Sequence, residues 1–243
     1  RKVAKEGKVL GKKGLIVTDG PLLKTGILDP IFKDFKAEGM DYVLWSEIVP
    51  NPRDVDIECG AKFAAEEKID YIVAVGGGSA IDTAKAIGAI KENGGKCNDW
   101  YEGNLKKKIT PLICVPTTCG TGSEVTHESI VNNTVTMVKD CIWGPEVSAA
   151  VAILDPDVLV NLPKKILAST GIDALTHAVE AYVCKAANPF TDALAIYAIR
   201  LIGESLTEAV ENSSNEAYVK MMAASCMAGA AFGNSDVASV HSI

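Results

Sequence analysis

No apolar run in this 243-residue chain reaches the roughly 18 unbroken residues that a membrane helix requires. The opening Arg1-Lys2-Val3-Ala4-Lys5 leads into no apolar core of the kind a secretion signal carries. Basic charge is in short supply too, with 24 Lys and Arg against 31 Asp and Glu and a net charge of −7. That balance leaves no basic stripe, which argues against nucleic acid or an anionic membrane surface as a partner. The seven cysteines are scattered, odd in number and free of any C-x-x-C spacing, so neither a disulfide framework nor a zinc ribbon is encoded. They read as reduced thiols in a cytoplasmic protein. Initiator Met and terminal cap are both missing, so the sequence reads as part of a longer chain. What remains, 48% hydrophobic and 23% charged, is ordinary globular composition with room for two modest domains.

The first half alternates short apolar runs with helical patterns. Gly14-Leu15-Ile16-Val17-Thr18, Tyr42 to Trp45, Tyr71 to Val75, Pro111 to Val115 and Val151 to Leu154 read as buried strands of a parallel sheet. Helices are expected over 22–25 and 27–38, 53–68 and 80–91. A rim hairpin is expected with strands 125–131 and 134–138 about an Asn132-Asn133 turn. Gly76-Gly77-Gly78-Ser79 follows the third strand and opens a helix. Glycines there let main-chain N–H groups face an anion, with the helix N-terminus behind them. The same triplet also serves a plain tight turn, and it is neither G-x-G-x-x-G nor a Walker motif. After the fourth strand, Thr117-Thr118-Cys119-Gly120-Thr121-Gly122-Ser123-Glu124 is a loop of small residues and hydroxyls, suited to a polar ligand at the carboxyl end of a sheet or to a surface loop.

Beyond Pro163 the β signal stops, and apolar residues recur at helical spacing over 167–184, 193–210 and 217–232. The composition shift sets an expected boundary between domains 1–157 and 158–243. Asp173 and His177, four apart in a helical run, project from one face and can chelate one divalent metal. Taken alone, such a pair is more at home in a buried helix whose His finds a core partner.

Five stretches stand in one order: Val17-Thr18-Asp19; Gly76-Gly77-Gly78-Ser79-x-x-Asp82-x-x-Lys85; Pro116-Thr117-Thr118-x-Gly120-Thr121-Gly122-Ser123-Glu124; Gly171-x-Asp173-Ala174-x-x-His177-x-x-Glu180; and Phe232-x-Asn234-x6-His241. Together they closely resemble the iron-containing (group III) alcohol dehydrogenases. The resemblance implies an α/β, Rossmann-like dinucleotide-binding domain with a parallel sheet, followed by an all-α metal-binding domain. It implies catalytic metal ligation by Asp173, His177 and His241, with a fourth ligand beyond the sequence given, and Fe²⁺ as the metal, or Zn²⁺. It implies hydride transfer between a primary alcohol or aldehyde and NAD, with NADP less favoured, the metal polarising the substrate oxygen. The cofactor would lie against Asp19, Asn51, Gly76, Gly77, Gly78, Ser79, Asp82, Thr117, Thr118, Thr121, Ser123 and Lys139. Asp19, ending the first strand, would accept from the adenosine ribose and repel a 2′-phosphate. A homo-oligomer, a dimer, is implied as well. His127 has no ligand role in the pattern. The rival readings are a glycerol-dehydrogenase-type polyol enzyme and a catalytically silent nucleotide-binding fragment.

Overall fold

A computed structural model describes residues 2–241, and the chain divides into two compact units, one of Arg1–Pro116 with His127–Ile153 and one of Thr117–Thr126 with Leu154–Ile243. In the first unit, α1 (Lys2–Leu10) leads into β1 (Lys13–Val17), then α2 (Gly20–Leu23), α3 (Asp29–Ala37), β2 (Asp41–Trp45), α4 (Asp54–Glu66), β3 (Tyr71–Gly76), α5 (Gly78–Asn93) and β4 (Leu112–Pro116). After the excursion to the second unit come β5 (Glu128–Asn132), β6 (Lys139–Trp143) and β7 (Val151–Ala152). The principal sheet is wholly parallel, in the order β2-β1-β3-β4-β7.

Period-two alternation explains why these strands read as unbroken apolar runs. Leu15 and Val17 of β1, with Ile72 and Ala74 of β3, enter a core with Ile57 and Ala61 of α4 and Ile81, Ala84 and Ile87 of α5. Ile16, Tyr71, Val73 and Val75 point the other way, into a core with Val3 and Ala4 of α1 and Ile31 and Phe35 of α3. Both faces are covered, as a parallel sheet demands. Each such aliphatic side chain, fully buried, contributes on the order of 1.5–3 kcal/mol. The order reverses between β1 and β3: the chain steps from β1 out to β2, then returns past β1 to β3. In open α/β sheets a reversal of this kind marks the ligand crevice at the carboxyl ends of the strands.

The rim hairpin exists, but its second strand is not where the alternation of 134–138 placed it. β5 pairs antiparallel with β6, Asn132 opposite Lys139, and 133–138 form the turn. The cause is Asn133, whose Oδ1 accepts from the backbone N–H groups of Val135 and Thr136 at 3.0 and 3.1 Å and curls the chain there, with Met137 left-handed at φ 58°. The fully buried Lys85 of α5 donates to the Glu128 carbonyl at 2.7 Å, and the Ser129 hydroxyl donates to the Asp82 carbonyl at 2.8 Å, so the hairpin is tied to α5 at two points.

The second unit is built on α6 (Lys164–Val183), α7 (Pro189–Asn212) and α8 (Asn215–Phe232). Asn188 starts α7 with a capping box: its side chain accepts from the Phe190 and Thr191 N–H groups, while the Thr191 hydroxyl accepts from its own N–H. Ala174, Ala178, Ala198, Ala209, Ala224 and Ala228 line the shared core with Leu167, Leu201, Ile202 and Met221, and such small residues let helices approach closely. The units part at 153/154, four residues before the expected boundary, and the hydroxyl loop Thr117–Thr126 belongs with the helices. Glycine accounts for this. Gly122 is left-handed at φ +61°, and a Cβ on Gly229 of α8 would stand 2.7 Å from the Gly122 Cα and carbonyl oxygen. None of the described helices is long and apolar enough to cross a membrane.

Candidate metal centre and nucleotide turn

α6 is helical through Asp173, His177 and Glu180, so positions i, i+4 and i+7 share one face. His177 is buried, and its ring is stacked between two others, with centroids 4.5 Å from Phe232 and 4.2 Å from His241. The last of these rings comes from a turn 64 positions further along the chain than His177. Asp173, His177 and His241 each offer a ligand atom, and the three atoms lie within 4.8 Å of one another. The Nε2 of His241 is 3.4 Å from Asp173 Oδ1.

Each imidazole is anchored through its other side. His177 Nδ1 lies 3.3 Å from the Gly120 carbonyl oxygen, which the hydroxyl loop supplies, and 3.9 Å from Asp173 Oδ2. Donation from Nδ1 to that carbonyl leaves Nε2 as the nitrogen with a lone pair. His241 Nδ1 is hydrogen-bonded to Glu180 Oε2, and Glu180 Oε1 accepts from the Val240 backbone N–H at 2.6 Å. Burial lowers the His177 pKa, and the neighbouring His241 adds to this while Asp173 opposes it, so the ring is held neutral. Burial pushes Glu180 up, but the bonds from His241 and Val240 outweigh it and bring the carboxyl below its ordinary range. A carboxylate beside two imidazoles, each ring already hydrogen-bonded through Nδ1, is a donor set that fits Fe²⁺ or Zn²⁺. Glu180, Gly120 and Phe232 had no role on sequence grounds. The spacing 173, 177, 180 was a usable signal for the first, whereas Gly120 and Phe232 stood in the motifs with nothing to mark the task of a carbonyl or a stacking ring.

The expected cofactor residues fall into both units. Gly76 ends β3, and Gly77 caps α5 with no side-chain hydrogen bond, so no capping side chain occupies the start of the helix, while the Ala80 N–H donates to the Gly77 carbonyl at 3.0 Å. A Cβ on Gly76 would stand 2.5 Å from that of Ala80 and 3.9 Å from Asp19 Oδ2. Asp19 caps α2, its Oδ1 accepting from the Leu22 N–H at 2.7 Å. Ser79 and Asp82 follow on α5, the Ser79 carbonyl accepting from the Thr83 hydroxyl. Asn51 is left-handed at φ 59° and its carbonyl accepts from the Asn132 side chain, while Lys139 stands opposite Asn132 in the hairpin register. Thr117, Thr118, Thr121 and Ser123 sit in the helical unit, Thr117 and Ser123 buried and the Thr121 hydroxyl accepting from the Ser123 N–H at 3.3 Å. His127, in the α/β unit, has Nδ1 3.3 Å from the Ser148 hydroxyl.

Known proteins share this fold. The chain is 42% identical over 235 residues to the NAD-dependent methanol dehydrogenase of Bacillus methanolicus, covering 96% of this chain and 61% of that protein. It is 42% identical over 238 residues to the 1,3-propanediol dehydrogenase of Citrobacter freundii, again covering 96% and 61%. The crystal structure of a 1,3-propanediol oxidoreductase superposes with a TM-score of 0.95 at 40% identity, over 98% of this chain and 63% of that one. Sulfoacetaldehyde reductase from Bifidobacterium kashiwanohense, solved in complex with NAD⁺, superposes with a TM-score of 0.90 at 31% identity, over 97% and 63%. This chain thus spans about three-fifths of the length of its curated relatives. Residues 1–156 match the family described as iron-containing alcohol dehydrogenase, and residues 167–243 match the C-terminal region of the Fe-containing alcohol dehydrogenase family. With both halves of the chain matched in order, the protein belongs to the iron-containing alcohol dehydrogenase family.

Proposed function

We propose that the protein is a metal-dependent alcohol dehydrogenase that moves a hydride between a primary alcohol or aldehyde and NAD. The observation that carries this reading is the convergence of Asp173, His177 and His241 within 4.8 Å. These three would hold Fe²⁺ or Zn²⁺, and the bound cation would supply Lewis-acid polarisation of the substrate oxygen. Asp173 contributes the negative charge, and His177, kept neutral by burial, presents a lone pair rather than a proton. The Gly120 carbonyl orients that ring. In the α/β unit, the N–H groups from Gly76 to Ser79 would bind the cofactor diphosphate, with Asp82 beside them and Asn51 and Lys139 at the hairpin. Asp19, although it caps α2 through Oδ1, has Oδ2 on the side of the Gly76 turn, where it would favour NAD over NADP. Thr117, Thr118, Thr121 and Ser123 would serve the ribose and nicotinamide half. Residues 1–157 and 158–243 would be the cofactor and metal domains, the hydroxyl loop excepted.

Support comes from the relatives' names, which specify an NAD-dependent methanol dehydrogenase and a 1,3-propanediol dehydrogenase. The seven free thiols and the acidic charge support a cytoplasmic enzyme acting on a small molecule. A homo-oligomer, a dimer, completes the reading. The full-length protein, loaded with Fe²⁺ or Zn²⁺, should oxidise a primary alcohol with NAD⁺ at about 1 s⁻¹ or faster, and glycerol more slowly. A metal-loaded protein silent on primary alcohols overturns the assignment, and a higher kcat/KM with NADPH than with NADH overturns the role of Asp19.

A further inference from the structure

Glu180 is only 3% exposed, and a buried carboxylate is costly unless its oxygens are satisfied. Both are: Oε1 takes the Val240 backbone N–H at 2.6 Å and Oε2 takes His241 Nδ1. These two donors are not equivalent. The backbone N–H cannot change its proton, whereas an imidazole chooses which nitrogen carries one, and its choice is set by the partner of the other nitrogen. A carboxylate only accepts, so Glu180 requires Nδ1–H, which leaves Nε2, the nitrogen 3.4 Å from Asp173 Oδ1, as the one ring nitrogen able to give its lone pair to a cation shared with that carboxylate.

We propose that Glu180 is a positioning residue for the metal centre, selecting the Nδ1–H form of His241 so that Nε2 is its donor atom. This rests on the reading of Asp173, His177 and His241 as metal ligands. Glu180 also fixes the turn that carries His241, through Val240, but that purely structural task needs a single acceptor oxygen. The substitution Glu180→Gln separates the two tasks. Glutamine fills the same space and keeps one acceptor, which the Val240 N–H claims, and it turns its NH₂ toward His241. Nδ1 then accepts, the proton moves to Nε2, and the donor lone pair is lost from the metal side.

The experiment has two readouts on the full-length protein. In the metal-free state at mildly alkaline pH, ¹⁵N NMR of the imidazoles should find His241 protonated at Nδ1 in the wild type and at Nε2 in Glu180→Gln. With Co²⁺ as the probe, chelator competition should show affinity reduced about 10- to 100-fold in the variant, the range for partners behind a metal ligand. Unchanged Co²⁺ affinity in a folded Glu180→Gln, or a wild-type His241 protonated at Nε2, overturns the proposal. If the variant fails to fold, the wild-type tautomer decides alone. A wild type that takes up no Co²⁺ but shows the Nδ1–H form strikes instead at the metal reading and leaves the tautomer selection standing.

Discussion

The turn after β3 and the inner face of α6 offer a ligand two different kinds of chemistry. At the turn the reactive atoms belong to the main chain: Gly77 caps α5 without a side chain, and the donors are peptide N–H groups that any residue would carry if it could adopt the path. On α6 the reactive atoms belong to side chains, and the main chain serves only to space Asp173, His177 and Glu180 along one face. A main-chain site is therefore harmed by adding atoms and a side-chain site by removing them. The difference also explains why the two sites announce themselves unequally, since a triple glycine serves many turns while an Asp and two His converging within 4.8 Å serve few purposes.

The largest effect is expected where atoms are removed. Asp173→Ala and His177→Ala should each lower metal affinity by at least about 100-fold, more than the loss of a second-partner residue costs, as read by metal content after purification, while His127→Ala leaves it intact. Near-normal metal content in His177→Ala breaks the comparison at its side-chain end. Adding atoms tests the other end. Gly76→Ala puts a Cβ 2.5 Å from that of Ala80, and the displacement should cost on the order of 1–3 kcal/mol in stability and weaken NADH binding, followed by thermal unfolding and cofactor fluorescence. Unchanged NADH affinity in that variant means the turn is only a turn. The smallest effect concerns the thiols. Burial pushes Cys119, in the hydroxyl loop, up to about 11, while Cys59 on α4 is exposed. At pH 8 the native protein should lose Cys59 to iodoacetamide with Cys119 unlabelled, a contrast mass spectrometry would see vanish if the loop were mobile.

Much of this was legible in the sequence, for identifiable reasons. β1, β3 and β4 are buried on both faces, so their apolar runs stand out against the polar turns, and the Asp173 to His177 interval is a one-turn helical repeat. α1 was not legible, because its buried positions are only Val3, Ala4 and Gly7, too small and too few to mark a face. The second hairpin strand was misplaced because the alternation of 134–138 reads as β while the Asn133 side chain takes the N–H groups a strand would use. The hydroxyl loop was assigned to the sheet it follows. What draws it to the helices is the lack of side chains at Gly122 and Gly229, together with Gly120, whose added Cβ would meet Thr170 at 2.8 Å. Such complementarity between glycines 107 positions apart has no trace in a linear pattern. Glu180 was visible as a letter in a motif, but its task depends on Val240 and His241, which only the fold brings to it.

The excursion of Thr117–Thr126 has a consequence for how the molecule can be taken apart. The chain passes from one unit to the other after Pro116, after Thr126 and again after Ile153. Three peptide links join the units, so neither is a continuous stretch of polypeptide. A single protease cut at 153/154 would leave the hydroxyl loop covalently on the N-terminal piece while its glycines stay seated against α6 and α8 of the other. The nicked halves should then elute together on a sizing column and separate only in denaturant. A gene fragment ending at 153 would express that loop with none of the helices it fits.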